Sequence, residues 1–464
     1  MSVVLRDGAA AHIPDVVYSL DAPKVGTVAL EIEPETQQTA NFEAYSKPKR
    51  LNKALLLQGP VGPFFRHLQL QLSNARIESK RVTFHAADAL FSIRDLSTPF
   101  KGKAAEWEKW IRTELEFGNY DCVILFGSDR PAHATAIKVA ADLQCPVISL
   151  EEGYLRSGYV TCELNGNNAG NSGLLTYQHH DVRESLASRP LEQNTKSTNM
   201  LVLWSVIYYA VRELTKHSGD IGLYHRKTEG ILRETISWSL HYARRKLATF
   251  AEANIVNRLS GKECASFILV PLQTPSDVQM QKYANGWTNE NLINHCLDAL
   301  RISTIPQNIV FKTHPLDKKA HDLSAFIKRK AKAVGLLDRV HILHSGNLSK
   351  LTEMSSGMVV INSTSAFSAL HHNKPLLVLG KAIYRHQQIV TIGASPADIR
   401  AFFNRRFSKP SVNTTNFVNY VKSNALIAGD FYRLSDQSVT ASNILNRIET
   451  LLTEQSALRE VAGS

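Results

Sequence analysis

Two neighbouring carboxylates follow a short apolar segment in the first half of the chain. Residues Val147 to Leu150 are typical of the end of a buried parallel strand, and Glu151, Glu152 and Gly153 come directly after them. In open α/β sheets, ligands bind where strands end and loops begin. Paired acids at such a position can act as a nucleophile, a base or an acid, or they can face solvent or cap a helix. Glu151 and Glu152 are therefore candidate catalytic residues.

Two loops in the second half carry groups suited to phosphate. His314 and Pro315 follow Lys312 at the end of a predicted strand, where the proline favours an extended geometry for the histidine. This histidine can donate to a phosphate oxygen of a leaving nucleotide, or it is a surface histidine before a turn. Residues 362–365, an Asn-Ser-Thr-Ser segment, precede a predicted helix over 366–371. Their hydroxyls can cap that helix or, with its N–H groups, bind phosphate.

Two more loops follow predicted strands. The turn 58–63, rich in Gly and Pro, links a predicted strand at 53–57 to a helix that begins at Phe64. Exposed N–H groups at such a turn bind anions, although the segment matches neither G-x-G-x-x-G nor a P-loop. The alternative is a tight strand-to-helix turn. Gln273 opens a polar loop after the predicted strand 266–271, in a position that a nucleotide cleft requires.

Short apolar segments alternate with helical patterns in both halves, which predicts two doubly wound parallel sheets. The predicted strands of the first half are 53–57, 79–84, 120–127 and 145–150. Those of the second half are 266–271, 308–315, 340–343, 357–362 and 375–380. Two such Rossmann-type domains facing a cleft form the GT-B architecture. The expected fold class is therefore α/β and GT-B-like, with a helical insert and C-terminal helices.

The pattern divides the chain into five segments. They are a poorly ordered extension at 1–50, an N-terminal Rossmann-like domain at 51–175, a helical insert at 176–262, a C-terminal Rossmann-like domain at 263–390, and helices at 391–464 that pack back on the first domain. The insert carries aromatic and basic residues, which fit either a core helix with a solvated side or a membrane-contacting surface. The loop 164–173, rich in Gly and Asn, is either a flexible active-site loop or a plain linker.

Composition narrows the function classes. The five cysteines are scattered, which argues against a disulfide framework and a zinc site, and the chain has no D-x-D motif, so no metal is predicted. No apolar run reaches the ~20 residues that span a bilayer, and the N-terminus lacks a signal pattern, so a cytoplasmic protein is expected. The net charge of +11 predicts an anionic partner. Without a nucleic-acid-binding signature, a nucleotide sugar or a lipid surface ranks above nucleic acid.

Several strings resemble motifs of one known family. The strings at 56–66 and 151–156 (LLQGPVGPFFR and EEGYLR) are specific. The supporting strings are 125–127 with 130–131, 270–273, 314–315, 361–364 and 379–384. In this order they resemble the KpsS/LipB-like capsule polysaccharide biosynthesis family, from about residue 55 to about residue 432.

The resemblance implies a retaining β-Kdo transferase. Such an enzyme transfers the acidic sugar Kdo from CMP-Kdo to a phosphatidylglycerol-type lipid and so starts the linker that anchors a capsule. It is cytoplasmic and peripheral on the inner membrane of a Gram-negative bacterium. CMP-Kdo is its donor substrate, no other cofactor is implied, and the candidate partners include a second Kdo transferase and the capsule export machinery.

The resemblance implies a catalytic role for the Glu-Glu-Gly motif at 151–153 and a phosphate-binding role for the His-Pro motif at 314–315 and the hydroxyls of 363–365. The other roles are hypotheses from residue type and position. Glu152 is the first choice for the nucleophile and Glu151 the second, while Asp88 and Asp129 are positioning groups or an acid/base. The nucleotide and its phosphate would be held by Lys312, His314, Pro315, Gln273, Asn362, Ser363, Thr364 and Ser365. The sugar or the acceptor would be held by Gln58, Gly59, Gly62, Arg130, Tyr154 and Arg156, with Arg156 suited to the sugar's carboxylate.

The sequence departs from the family pattern in several places. Ser157 and Gly158 replace an expected Pro-Asp pair, Tyr159 replaces Trp, and residues 85–88 and 168–170 differ from the usual segments. Two alternatives therefore stand beside the Kdo transferase. One is a GT-B enzyme that uses another nucleotide sugar, and the other is a non-catalytic factor of capsule assembly or export.

Overall fold

A computed structural model describes residues 50–155, 158–177, 195–215, 231–259, 261, 266–405 and 414–463, all within one compact unit that spans 47–464. Of the predicted N-terminal extension, only Arg50 is among the described residues. Arg156 also lies outside them. The strands are β1 Lys53–Leu56, β2 Glu78–Thr83, β3 Ser97–Pro99, β4 Cys122–Phe126, β5 Val147–Glu152, β6 Tyr159–Leu164, β7 Phe267–Pro271, β8 Asn308–Lys312, β9 Val340–Leu343, β10 Gly357–Val360, β11 Leu376–Val378, β12 Thr391–Ile392 and β13 Leu426–Ala428.

Helices connect these strands. They are α1 Phe64–Asn74, α2 Ala86–Leu90, α3 Trp107–Gly118, α4 Pro131–Asp142, α5 Asn168–Asn171, α6 Thr195–Leu214, α7 Ile231–Leu259, α8 Val278–Lys282, α9 Asn289–Ile302, α10 Ala320–Ala333, α11 Leu348–Met354, α12 Ala366–His371, α13 Pro396–Phe403, α14 Thr414–Ala425 and α15 Gln437–Gly463. Of the helices described, none is sufficiently long and apolar to cross a membrane.

The first sheet has the strand order β13-β6-β5-β4-β1-β2-β3. The strands from β1 to β5 are parallel, and the order reverses between β1 and β4, which is the switch point of a doubly wound sheet. Strand β6 differs from the predicted all-parallel pattern because it runs antiparallel to β5 and to β13. Only residues 153–158 separate β5 from β6, and a parallel crossover needs about a dozen residues or more, so the chain can only turn back.

The second sheet has the order β12-β11-β10-β7-β8-β9, and all its pairings are parallel. Its switch point lies between β7 and β10. The central strands β4 and β7 are buried at all five positions, as expected for parallel strands with helices on both faces. The predicted fold class, α/β with two doubly wound sheets of GT-B type, is confirmed.

Each sheet has an apolar core on both faces. On one face of the first sheet, Phe64, Phe65 and Leu68 of α1 pack with Ile444 and Ile448 of α15, so the end of the chain contributes to the first core. The apolar positions of α1 recur at helical spacing, which is why this segment forms a helix rather than a strand. Because β13 also joins the first sheet, the tail fixes the far side of β6 and thereby the β5–β6 hairpin.

Candidate functional site

The switch point of the first sheet brings three predicted residues together. Gln58 and Gly59 follow β1, and Arg130 follows β4 in an extended conformation just before Pro131 starts α4. The Arg130 Nη1 donates to Gln58 Oε1 at 3.2 Å and to the Gly59 carbonyl at 3.0 Å. The guanidinium therefore fixes the turn after β1 from the opposite side of the crevice.

A buried acid, Asp88, belongs to the same cluster. Asp88 is only 2% exposed; its Oδ2 accepts from the Phe84 N–H at 3.0 Å and its Oδ1 from the Tyr208 hydroxyl at 2.9 Å. Gln58 Nε2 donates to the same Tyr208 hydroxyl at 3.1 Å. Burial and the Asp88 charge raise the pKa of Tyr208, which therefore stays a hydrogen-bond donor. These contacts favour the positioning alternative for Asp88.

The turn after β1 is covered by the insert. A Cβ on Gly62 would lie 2.7 Å from the Trp204 ring of α6, and the backbone of Gly62 has φ +97°, so only glycine fits there. Trp204 Nε1 in turn donates to the Tyr432 carbonyl at 3.1 Å. Trp204 thus covers this glycine, and the predicted sugar contact of Gly62 stays a prediction.

The two candidate carboxylates occupy consecutive positions on β5 and so point to opposite faces of the hairpin. Glu151 pairs with Thr161 in register and Glu152 with Val160. The Glu151 Oε2 accepts from the side-chain amides of Asn167, at 2.9 Å, and of Asn168. Glu152 is exposed, and its Oε1 accepts from the Tyr432 hydroxyl of the tail.

Their surroundings give the two glutamates different properties. Burial, and next the neighbouring Glu152 charge, raises the pKa of Glu151 from 4.5 to about 8, against a lowering contribution from the Asn168 amide. Glu151 therefore carries a proton at neutral pH. The end of β5 thus offers one protonated carboxyl group and one exposed carboxyl group.

A second buried acid supports the loop that holds Glu151. Tyr154, 4% exposed, accepts from the Asn168 N–H at 2.8 Å and donates to Glu163 Oε1 at 2.5 Å. Ser172 donates to the other oxygen of Glu163. Burial raises the pKa of Glu163 to about 7. Tyr154 thus has the contacts of a supporting residue, and its predicted sugar contact stays a prediction.

The switch point of the second sheet is bridged by two buried amides. Gln273 Nε2 donates to Asn362 Oδ1 at 3.0 Å, and Asn362 Nδ2 donates to the Gln279 carbonyl at 2.8 Å. Ser363 Oγ accepts from the Ser365 N–H at 3.2 Å, and Tyr384 donates to the Ser363 carbonyl at 2.6 Å. These hydrogen bonds fix the conformation of the loop. The predicted hydroxyls of 363–365 stand at the start of α12, where Ser365 itself makes no side-chain cap.

The His-Pro turn follows β8. His314 is half-buried and its Nδ1 accepts from the Leu316 N–H at 3.1 Å, so a neutral ring carries its proton on Nε2. Lys312 Nζ donates to the Ser345 carbonyl at 2.8 Å. Burial, and next the Arg245 charge, lowers the pKa of Lys312 to about 8. The predicted phosphate contacts of His314 and Lys312 stay predictions.

Contacts between the two halves bring the loops together. Asp129, in the loop after β4, accepts from Lys282 Nζ of α8 at 2.8 Å and from the Tyr283 hydroxyl at 3.2 Å. Tyr154 stacks on Phe367 of α12 with ring centroids 6.0 Å apart. The carboxyl ends of β4 and β5 thus meet the loops that follow β7 and β10. Asp129 lies at this junction, and both the positioning role and the acid/base role stay open for it.

Four residues of this arrangement were not singled out by the sequence. Asn167 and Asn168 lie in the loop for which an active-site role or a linker were both open, and they bind Glu151. Tyr208 comes from the insert and Tyr432 from the tail. The only sequence signal was the Gly- and Asn-rich loop itself, in which Asn168 adopts a left-handed backbone, φ +56°, that Asn tolerates. Over the part of the chain that is described, no cluster of three or more His, Cys, Asp or Glu side chains could hold a metal ion.

The family model for capsule polysaccharide biosynthesis proteins matches residues 121–432. The chain belongs to this family. The match begins at β4 and ends at Tyr432, so it includes both glutamates of β5, the His-Pro turn and the tyrosine that binds Glu152. The resemblance predicted from the motifs is confirmed.

Relatives with capsule-related names are similar over about 70% of the chain. The capsule polysaccharide export protein KpsS of Escherichia coli is 28% identical over 334 residues, which cover 72% of this chain and 85% of KpsS. The capsule polysaccharide modification protein LipB of Neisseria meningitidis serogroup A is 28% identical over 344 residues, 71% of this chain and 80% of LipB.

Solved structures are more distant. The β-Kdo 2,7 transferase part of KpsC from Thermosulfurimonas dismutans has 13% identity and a TM-score of 0.38, covering 85% of this chain and 99% of that one. The β-Kdo 2,4 transferase part of the same KpsC has 14% identity and a TM-score of 0.36, covering 75% and 91%. At this level of similarity they add nothing to the functional argument.

Proposed function

We propose that this capsule-family protein is a retaining β-Kdo transferase, which transfers Kdo from CMP-Kdo to a phosphatidylglycerol-type lipid. One observation carries the proposal most directly. Glu151 and Glu152 end β5 in two different environments, at the edge where the first sheet meets the polar loops of the second. Family membership and the motifs at 151–156 and 314–315 support the choice of donor and acceptor.

The second sheet would hold the donor. His314 and the hydroxyls of Ser363, Thr364 and Ser365 would donate to the CMP phosphate, with Lys312 contributing positive charge. Gln273 and Asn362 would keep the loops after β7 and β10 in place. Arg130 and Gln58 would line the sugar and acceptor side, where Arg156 is the predicted partner of the sugar's carboxylate.

The reaction would proceed in two displacements. The exposed Glu152 carboxylate attacks the anomeric carbon of Kdo, the bond from that carbon to the phosphate oxygen breaks, and CMP leaves with the electron pair. The acceptor hydroxyl then attacks the same carbon, releases Glu152, and passes its proton to a base, for which Asp129 is the candidate. Glu151, on the opposite face of the strand, would hold the 167–168 loop in place. Two inversions give net retention.

The site of action is part of the proposal. CMP-Kdo and an anionic lipid meet at the cytoplasmic face of the inner membrane, so a peripheral protein there would reach both. A second Kdo transferase and the capsule export machinery are the proposed partners, since a lipid that carries one sugar must be extended and moved. The net charge of +11 favours this anionic surface.

The test is a mass-spectrometric assay of the purified full chain with CMP-Kdo and a fluorescent phosphatidylglycerol. We expect one added Kdo mass with the wild type and none with Glu152→Gln, which keeps the shape but loses the nucleophile. Tyr432→Phe should lower turnover about tenfold, because Glu152 loses its hydrogen-bond donor. The matched control is Tyr120→Phe, which removes a tyrosine–glutamate hydrogen bond to Glu114 far from the site and should leave turnover unchanged.

A negative result would separate the alternatives. Absence of product from wild-type protein that binds CMP would point to another acceptor or to the non-catalytic role in capsule assembly. If the role is non-catalytic, cells carrying Glu152→Gln would still make capsule. Preference for UDP over CMP in binding would instead favour another nucleotide sugar.

A further inference from the structure

Helix α7 of the insert lies against the second sheet along one face. Over its 29 residues, Leu259 is buried in the core of that sheet, and Ile255 and Val256 pack against the same core. His241, Arg245 and Glu252 are four and seven positions apart, so at about 100° per residue they fall on the same side of the helix. The face that α7 turns to the second sheet is therefore polar at one end and apolar at the other.

The polar end of this face hydrogen-bonds to the His-Pro turn. His241 Nε2 donates to the Pro315 carbonyl at 2.8 Å, and Arg245 Nη1 donates to the same oxygen at 3.3 Å. Lys318 Nζ lies over the Trp238 ring, 4.7 Å from its centroid. His241 is 8% exposed, so its bond to the Pro315 carbonyl is shielded from water.

Glu252 binds the loop that follows the next strand, β9. It is 5% exposed, and its Oε1 accepts from the His344 N–H at 2.8 Å. Its Oε2 accepts from the Ser345 N–H at 2.9 Å and from the Ser345 hydroxyl at 2.6 Å. A buried carboxylate with three donors is costly to leave unpaired, so this loop and the helix hold each other in one position.

Ser345 connects Glu252 of α7 to Lys312 of β8. Its carbonyl accepts from Lys312 Nζ, the last residue of β8, while its N–H and hydroxyl are held by Glu252. The Glu252 charge also raises the pKa of Lys312, against the larger lowering by burial. Glu252 thus acts on Lys312 twice, through the position of its acceptor and through its charge.

We propose that Glu252 is a positioning residue of the donor-phosphate site: it fixes Ser345 and, through it, Lys312, while His241 on the same helix face fixes the turn that carries His314. Helix α7 would then set the spacing of the His-Pro turn and the loop after β9 through these contacts. This inference rests on the proposed function, since it takes residues 312–315 to bind the CMP phosphate.

The test measures CMP binding by calorimetry and backbone hydrogen exchange over 343–346 in the wild type and in Glu252→Gln. The amide of Gln presents N–H groups where the carboxylate accepts, so at least one donor of the loop loses its partner. We expect CMP to bind about tenfold more weakly and the amides of 344–345 to exchange faster, with an unchanged far-UV spectrum. With CMP-Kdo as substrate, KM should rise while kcat changes little. The control is Asn254→Ala, an exposed position two residues further on, which should match the wild type.

Other outcomes decide the matter as well. Glu252→Gln protein that is folded and binds CMP as tightly as the wild type overturns the inference and leaves the proposed function standing. Wild-type protein that binds no CMP overturns both. If Glu252→Gln does not fold, Ser345→Ala removes one of the three bonds and should weaken CMP binding by ~3-fold; unchanged affinity there also overturns the inference.

Discussion

At the residue scale, Glu151 and Glu152 are neighbours in sequence with opposite surroundings. Strand alternation sends Glu151 toward the asparagines of the 167–168 loop and Glu152 toward the tail. Burial then raises the pKa of Glu151 to about 8, while Glu152 is exposed. One short strand therefore provides two carboxyl groups that can take different roles at the same pH.

This difference predicts a pH-dependent stability. Because the pKa of Glu151 is raised from 4.5 to about 8, the unfolded chain loses this proton at lower pH than the folded protein. The contribution of protonated Glu151 to the free energy of unfolding is complete below pH 4.5 and is lost as pH rises toward about 8. We expect the free energy of unfolding of Glu151→Gln, relative to the wild type, to increase by more than about 1 kcal/mol between pH 5 and pH 8. Urea denaturation at both pH values measures it, and parallel pH curves for the two proteins would contradict it.

At the element scale, the β5–β6 hairpin is the feature that places both glutamates. Its turn begins at Gly153, whose N–H donates to the Tyr159 carbonyl at 3.2 Å. A Cβ on residue 153 would lie 2.5 Å from that carbonyl oxygen. The glycine of the Glu-Glu-Gly motif is thus needed for the close approach of two backbone segments.

Gly153→Ala should therefore damage the hairpin. The clash is with backbone, which cannot move aside cheaply, so we expect a loss of about 1–3 kcal/mol in the free energy of unfolding and a large loss of turnover. Gly173→Ala is the matched control, because a Cβ there meets nothing within 4 Å. Urea denaturation and the Kdo-transfer assay give the two readouts. Equal behaviour of the two variants would show that the turn tolerates a side chain.

At the scale of the whole molecule, distant parts of the chain complete the site. Tyr432, 280 residues after Glu152 in sequence, binds it from the tail. Tyr208 of the insert binds Asp88, and Lys282 of the second half binds Asp129. The two sheets with their insert and tail therefore act as one scaffold for the loops between them.

The charge of the molecule predicts how it meets a membrane. With a net charge of +11 and exposed Arg244, Lys246 and Leu247 on α7, we expect the protein to sediment with phosphatidylglycerol vesicles at low salt. Binding should weaken as salt is raised, because screening shortens the reach of the charges. Phosphatidylcholine vesicles are the neutral control. Equal binding to both kinds of vesicle, or none to either, would contradict an electrostatic attachment.

The sequence by itself determined the two sheets and the loops that carry polar groups. Buried parallel strands need continuous apolar segments, and their carboxyl ends need polar or flexible residues, so both features are visible along the chain. The motifs at 151–153 and 314–315 could be located for the same reason. The antiparallel direction of β6 was not predicted from the sequence. It nevertheless has a local cause, because the segment 153–158 is too short for a parallel crossover.

Only the tertiary structure decided which partners these residues have. The pKa of Glu151 is set chiefly by burial and is lowered by the Asn168 amide from another loop, and of its main causes the sequence shows only the adjacent Glu152 charge. The hydrogen bonds of Glu152 to Tyr432 and of Glu252 to the β9 loop join segments far apart in the chain. A tyrosine in a tail or a glutamate in a helix has no local pattern that marks such a contact, because the contact exists only once both sheets have folded and packed.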